Sequence, residues 1–126
     1  MDDIARAPPT PPHLYETCIA AERAWIADVE GAIAGFLTWM MQDGHQFITE
    51  LHVDPRYQGA RISAQLIGRL VRPSLSCFTE VPWNRPYYQR LGFRTVDPAA
   101  LGAQHCAIAA EEHRRFAPWP RCIMVR

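Results

Sequence analysis

Between Leu51 and Ser63 the sequence Leu-His-Val-Asp-Pro-Arg-Tyr-Gln-Gly-Ala-Arg-Ile-Ser closes an apolar run at Asp54-Pro55, passes small residues at Gly59 and Ala60, and opens a helical period. A strand, turn and helix start in that order aim unpaired backbone N–H groups and the positive end of a helix dipole at one point. That chemistry suits a pyrophosphate. On spacing alone the segment reads equally as an ordinary strand-helix connection, because one Gly in a turn is not specific. A second segment, Asn84-Arg-Pro-Tyr87-Tyr88-Gln-Arg-Leu91-Gly92-Phe93, places a Tyr one helical turn before a Leu-Gly-Phe stop. From there a hydroxyl can point toward the open end of a sheet and donate a proton, whereas Tyr87 reads better as a core aromatic. Ser74 and Ser76 stand near Cys77, but no base or orienting acid is identifiable beside them, so a covalent nucleophile is discounted.

The elements that must position these groups follow from periodicity and turn signals. Pro8, Pro9, Pro11 and Pro12 mark residues 1–12 as an extended, mobile leader, and residues 13–126 form one domain. His13 to Glu22 fits a short helix with Leu14, Cys18 and Ile19 on its apolar face. Arg23 to Val29, Gly35 to Met41 and Gln46 to Val53 read as three antiparallel strands, joined by turns at Glu30-Gly31 and Gln42-Asp43-Gly44. A helix of about 12 residues, apolar at Ile62, Leu66, Ile67 and Leu70 and ended by Pro73, leads to a strand over Leu75 to Val81. That strand lies parallel to the third one and is buried on both faces. Asn84 to Leu91 is a short helix, capped by Asn84 and terminated by Gly92. Phe93 to Val96 is a strand, Ala99 to Phe116 a helical segment and Cys122 to Val125 a last strand. The expected class is α/β (an α+β mixed sheet): an antiparallel meander, a βαβ crossover and a C-terminal strand-helix-strand unit.

Composition excludes several kinds of function. Thirteen basic and thirteen acidic residues cancel, and all thirteen basic residues are Arg. No basic surplus is available to track a nucleic-acid backbone. The longest apolar run, Ala32 to Met41, is far short of the roughly 20 residues that span a bilayer. Cys18, Cys77, Cys106 and Cys122 have no CxxC spacing, and His13, His45, His52, His105 and His113 are scattered. The expectation is a soluble cytoplasmic protein with reduced thiols, no metal, no membrane and no nucleic acid.

Together the two segments resemble the GCN5-related N-acetyltransferase (GNAT) superfamily: a strand ending L-x-V-x-P, then Q/R-x-x-G-x-G/A, then Y-x-x-x-G-F. The matches are Leu51, Val53 and Pro55, then Gln58 to Ser63, then Tyr88, Gly92 and Phe93. The Val81-Pro-Trp-Asn84 stretch also looks like a subgroup of small bacterial members. The resemblance implies acetyl-CoA as co-substrate, held by Leu51, His52, Val53, Gln58, Gly59, Ala60, Arg61, Ile62, Ser63 and Asn84. It implies direct transfer of the acetyl group to a primary amine on a small molecule or peptide. A backbone N–H near a bulge in the Leu51 to Val53 strand would polarise the thioester, and Tyr88 would protonate the leaving thiolate. Glu50 is the first candidate base, with Glu80 and His52 as alternatives. The family's two loop glycines fall on Arg61 and Ser63, and only a Pro-rich leader and one short helix precede Arg23 where the family has a strand and two helices. Those departures support an alternative, a degenerate module that binds CoA or a protein partner without turnover. Unpaired sheet edges suit a homodimer.

Overall fold

The computed structural model describes residues 23–57 and 60–126. The leader, the short helix expected over residues 13–22, and Gln58 and Gly59 lie outside the described residues. Six strands, β1 (Ala24–Val29), β2 (Ala32–Gln42), β3 (His45–Val53), β4 (Pro73–Phe78), β5 (Arg94–Val96) and β6 (Arg121–Val125), form one mixed sheet in the order β1-β2-β3-β4-β6-β5. Three α-helices are described: α1 (Ala60–Ile67) between β3 and β4, α2 (Arg85–Arg90) before β5, and α3 (Ala103–Phe116) before β6. The expected meander, crossover and C-terminal unit are all present.

Both hairpins close through two-residue turns, Glu30-Gly31 and Asp43-Gly44, with positive φ at every position. This geometry matches the right-handed twist of the flanking strands and favours Asp-Gly in particular. Alternation then divides the sheet. Leu37, Trp39, Ile48, Leu75, Cys77 and Met124 face α1 and pack with Leu66, Ile67, Leu70 and Phe93. Thr38, Thr49, Ser74, Ser76 and Phe78 belong to the opposite face, where α3 lies.

Strand β2 starts at Ala32, three residues before the expected Gly35, and three further elements also differ from the sequence expectation. Helix α1 has eight residues rather than about 12, because its end tightens into i→i+3 bonds, Arg69 N–H to Leu66 and Leu70 N–H to Ile67. Gly68, which costs a helix interior up to about 1 kcal/mol, stands where it stops. Strand β4 begins at Pro73 and ends at Phe78, because it starts as soon as the Gln46 N–H bonds Arg72 and loses its β6 partner beyond Arg121. The segment over Ala99 to Phe116 is interrupted. Asp97 accepts the Ala99 N–H and closes a short 3₁₀ turn over Pro98–Ala100, and α3 starts only after Gly102.

A buried polar chain ties the β2–β3 turn to α3 and to β4. The Asp43 carboxylate accepts N–H bonds from Gln104 and His105, and Nδ1–H of His105 donates to Asp43 Oδ2 at 2.7 Å. On the other side of the ring, Ser74 Oγ lies 2.9 Å from Nε2, and both Ser74 and His105 are 0% exposed. The base and acid that the sequence did not show beside Ser74 are therefore present, brought from 31 residues away in the chain. Sealed from solvent, they hold the fold together and offer no nucleophile to a substrate. Ser74→Ala leaves the His105 ring buried with one side unsatisfied, so stability is expected to fall by about 1–2 kcal/mol. A urea titration should show a lower midpoint at an unchanged slope.

Burial opposes ionisation of Asp43, but the bonds from His105 and Gln104 outweigh it and hold its carboxyl below the usual value of 3.8. Its contribution to stability is therefore complete above that value. It is lost as pH falls through the lowered one.

Candidate active site

The site is a notch in the sheet. Strands β3 and β4 pair only at Gln46↔Pro73 and Phe47↔Ser74, and no further pairing joins them although both strands run on. Hydrogen-bond alternation shows which backbone groups face the opening. The Asp54 N–H bonds Ala34 across the β2 side, so Val53 and Leu51, at alternate positions, turn their N–H and C=O toward β4. On the facing strand the Thr79 N–H bonds Pro120 across the β6 side, so Phe78 and Ser76 turn theirs toward β3. The Phe78 N–H is held by Asn84 Oδ1 at 2.7 Å. Asn84 therefore does not cap α2 with its side chain, as its position suggested; the side chain closes the end of β4 instead.

A bulge lies in β3 beside the notch. Thr38 pairs with Glu50 and Trp39 with Ile48, leaving Thr49 as the extra residue. A bulge sends two neighbours to one face, and here Thr49 Oγ1 meets Thr38 Oγ1 at 2.7 Å on the face that also carries Glu50. Glu50 Oε2 lies 2.6 Å from His52 Nε2, and the His52 ring stands 5.0 Å from the Phe36 ring. Glu50 is largely covered while His52 is more than half exposed. The sequence offered these two residues as competing bases; the structure makes them a pair. Glu80 lies past the end of β4, against a small apolar cavity lined by Val81, Pro82, Trp83 and Trp119.

Tyr88 approaches from the other face. It packs against the core cluster, with its ring 6.0 Å from Phe93 and 5.3 Å from Tyr87. Burial, with smaller contributions from Tyr87 and Cys77, pushes its hydroxyl up to about 12. It stays protonated across the physiological range. Beneath it Cys77 and Cys122 face each other across β4 and β6, with sulfurs 3.6 Å apart. Their shared hydrogen bond pushes the Cys77 thiol up and lowers that of Cys122.

At the mouth of the notch α1 begins at Ala60, and the first-turn N–H groups of Ala60, Arg61 and Ile62 have no carbonyl four residues back within the helix. Arg61 is exposed, Ile62 packs on the core and Ser63 is only 4% exposed. The Ser63 hydroxyl thus points inward, so of the two departures from glycine only Arg61 presents a side chain to the opening. Gly35 explains how β3 and α1 come so close. A Cβ there would sit 2.6 Å from the His52 carbonyl oxygen and 3.3 Å from both Val53 Cα and Ile62 Cγ2. Gly35→Ala is expected to cost about 1–3 kcal/mol through overpacking and to displace the β3–α1 junction. A urea titration of the variant should show a correspondingly lower midpoint at an unchanged slope.

Among the described residues no group of three or more His, Cys, Asp or Glu is arranged to hold a metal, and no helix is long and apolar enough to cross a membrane.

Solved structures share this architecture. N-acetylglutamate synthase from Neisseria gonorrhoeae, described in complex with coenzyme A and N-acetyl-glutamate, superposes with a TM-score of 0.67 at 16% identity over 94% of this chain. The match spans 28% of that enzyme's length. Naa50 from Arabidopsis thaliana, described in complex with a bisubstrate analogue, CoA-Ac-MVNAL, superposes with a TM-score of 0.63 at 16% identity, covering 95% of this chain and 83% of Naa50. These likenesses establish the fold. The sequence itself matches the acetyltransferase (GNAT) domain over residues 20–95, more than half of its length and including both the β3–α1 junction and the Tyr88 helix. The chain belongs to the GNAT acetyltransferase domain family.

Proposed function

We propose that this protein is an N-acetyltransferase that moves an acetyl group from acetyl-CoA directly to a primary amine. The observation that carries the reading is the notch: two strand edges, Leu51 and Val53 on one side and Ser76 on the other, turn backbone donors and acceptors toward a gap. An extended chain with amide groups, such as the pantetheine arm, satisfies such edges in the way an added strand does. The pyrophosphate would then lie at the start of α1, over the N–H groups of Ala60, Arg61 and Ile62, with the Arg61 guanidinium beside it; the family motif adds Gln58 and Gly59 as cofactor-binding residues. His52 and Asn84 border the arm, and Ser63 supports the helix start from within.

The two faces of the notch divide the chemistry. The Leu51 N–H, next to the bulge, is aimed into the gap and would polarise the thioester carbonyl; a donor of this kind is typically worth about 3–4 kcal/mol in the transition state. Glu50 takes the proton from the attacking amine on one face, and His52, 2.6 Å away and more exposed, carries it to solvent. On the other face Tyr88 donates a hydrogen bond to the departing thiolate. Attack forms the N–C bond, collapse breaks the C–S bond, and the products are the amide and CoA. In direct transfer both co-substrates are bound together, and among the described residues no buried thiol or hydroxyl is assigned to carry the acetyl group covalently.

Thermal unfolding with and without CoA tests the cofactor half of this reading. A ligand at 100 times its Kd raises stability by about 2.7 kcal/mol. The expected result is a clear rise in Tm; no rise at saturating CoA would contradict the reading.

A further inference from the structure

On the Glu50 face a cleft of about 610 Å³ opens between β3 and α3. Helix α3 starts against the Asp43 turn and turns one side to the cleft through Gln104, Ala107, Ile108, Glu111 and Arg115. These residues recur at intervals of three and four, as one stripe of a helix must. Arg121 of β6 closes the far wall.

The charges in this cleft are not evenly paired. Glu111 is bound to Arg114, Glu112 to Arg121 and Glu50 to His52. Arg115 is left without a carboxylate partner among the described residues. Arg121 is built in: its Nε donates to Glu112 at 2.7 Å and to Ser76 at 3.1 Å, and its guanidinium carbon lies 4.2 Å and 4.8 Å from the Phe78 and Phe116 ring centres. Its two Nη nitrogens have no hydrogen-bond partner among the described residues. One wall therefore holds a proton acceptor, Glu50, and the other holds two guanidiniums with donors to spare.

We propose that the acceptor is an amino-carboxylate, its amine directed to Glu50 and its carboxylate held by Arg115 and the Nη edge of Arg121. The assignment rests on the acetyl-transfer reading above. Strand β4 separates β3 from β6, and with neighbouring strands about 4.8 Å apart the Glu50 and Arg121 backbones stand at least about 10 Å from each other. Glu50, Arg115 and Arg121 all line the cleft, and side chains of that length can span most of the separation, leaving room for an acceptor with an amine at one end and a carboxylate at the other. Guanidinium is the group best suited to the far pole, since its fork bonds a carboxylate with two parallel N–H groups. Ile108 and Phe116 leave an apolar wall between the poles for the acceptor's carbon skeleton.

The test compares matched acceptors by thiol release from acetyl-CoA: leucine against leucinamide, and γ-aminobutyrate against butylamine. The wild type is expected to favour the carboxylate member of at least one pair by about 10- to 100-fold in kcat/KM, the range of one to two charge-assisted hydrogen bonds. Arg115→Gln should reduce that preference at least about tenfold, mainly through KM, and Arg115→Lys should restore part of it by returning the charge without the fork. Equal turnover of both members of each pair, or a preference unchanged in Arg115→Gln, would overturn the proposal while acetyl transfer itself stands, because thiol is still released. Acetyl-CoA binding with no thiol release on any acceptor would overturn both.

Discussion

Glu50→Gln is expected to lower kcat/KM about 10²- to 10³-fold at neutral pH while leaving acetyl-CoA affinity within about twofold. The amide keeps the size and most of the hydrogen bonding of the carboxylate but cannot take a proton. General-base assistance of this kind contributes about 10²–10⁴-fold. Its location decides the split: Glu50 projects on the α3 face beside the bulge, whereas the cofactor's phosphates would lie at the α1 start. His52→Ala should cost less, because Glu50 can still accept the proton and only its handover to solvent slows. Paired measurements of turnover and of CoA-dependent Tm on the two variants check this. Activity of Glu50→Gln within threefold of wild type would remove Glu50 from the mechanism.

Tyr88→Phe is expected to lower kcat about 100-fold, again with near-normal cofactor affinity. A thiol of ordinary acidity titrates near 8.5, so with Tyr88 held at about 12 the departing thiolate is the weaker base by about 3.5 units. A full proton transfer to it is unfavourable, so in the proposed mechanism Tyr88 would act mainly by hydrogen-bonding the charge as it develops. That places its contribution at the low end of acid catalysis, about 10². The direction of the shift also fixes the pH dependence. The neutral donor is the active form, and raising its pKa extends that form upward, so kcat should show no loss of this donor up to about pH 11. An alkaline limb between pH 9 and 10 that vanishes in Tyr88→Phe would contradict the assignment.

Much of this was legible in the sequence because it is written in local signals. The two turns, the three-strand meander and the βαβ order follow from Glu30-Gly31, Asp43-Gly44 and the switch from a strand to a helix period after Pro55. Each family motif is a short contiguous stretch that crosses from one element into the next, so its order and spacing were readable too. What was not legible depends on residues distant in the chain. The pairing of His105 with Asp43 and Ser74 needs three separate elements to meet, and no spacing announces it. The Asn84 side chain looked like a cap because the helix start is local, but the stronger demand came from the Phe78 N–H left by the parting strands. Glu50 and His52 were read as rivals, although their spacing of two on a strand already puts them on one face. The cleft charges could not be read at all, since α3 and β6 come last in the chain and only the fold sets Arg115 and Arg121 opposite Glu50.

The central claim is direct acetyl transfer across the notch, and the initial rate of CoA thiol release with acetyl-CoA and an amine both varied tests it most directly. The expected result is amine-dependent release with intersecting double-reciprocal lines, the pattern of a reaction in which both substrates are bound together. Parallel lines would contradict direct transfer. Acetyl-CoA binding with no release above hydrolysis on any amine would contradict the enzyme itself and leave a cofactor-binding module.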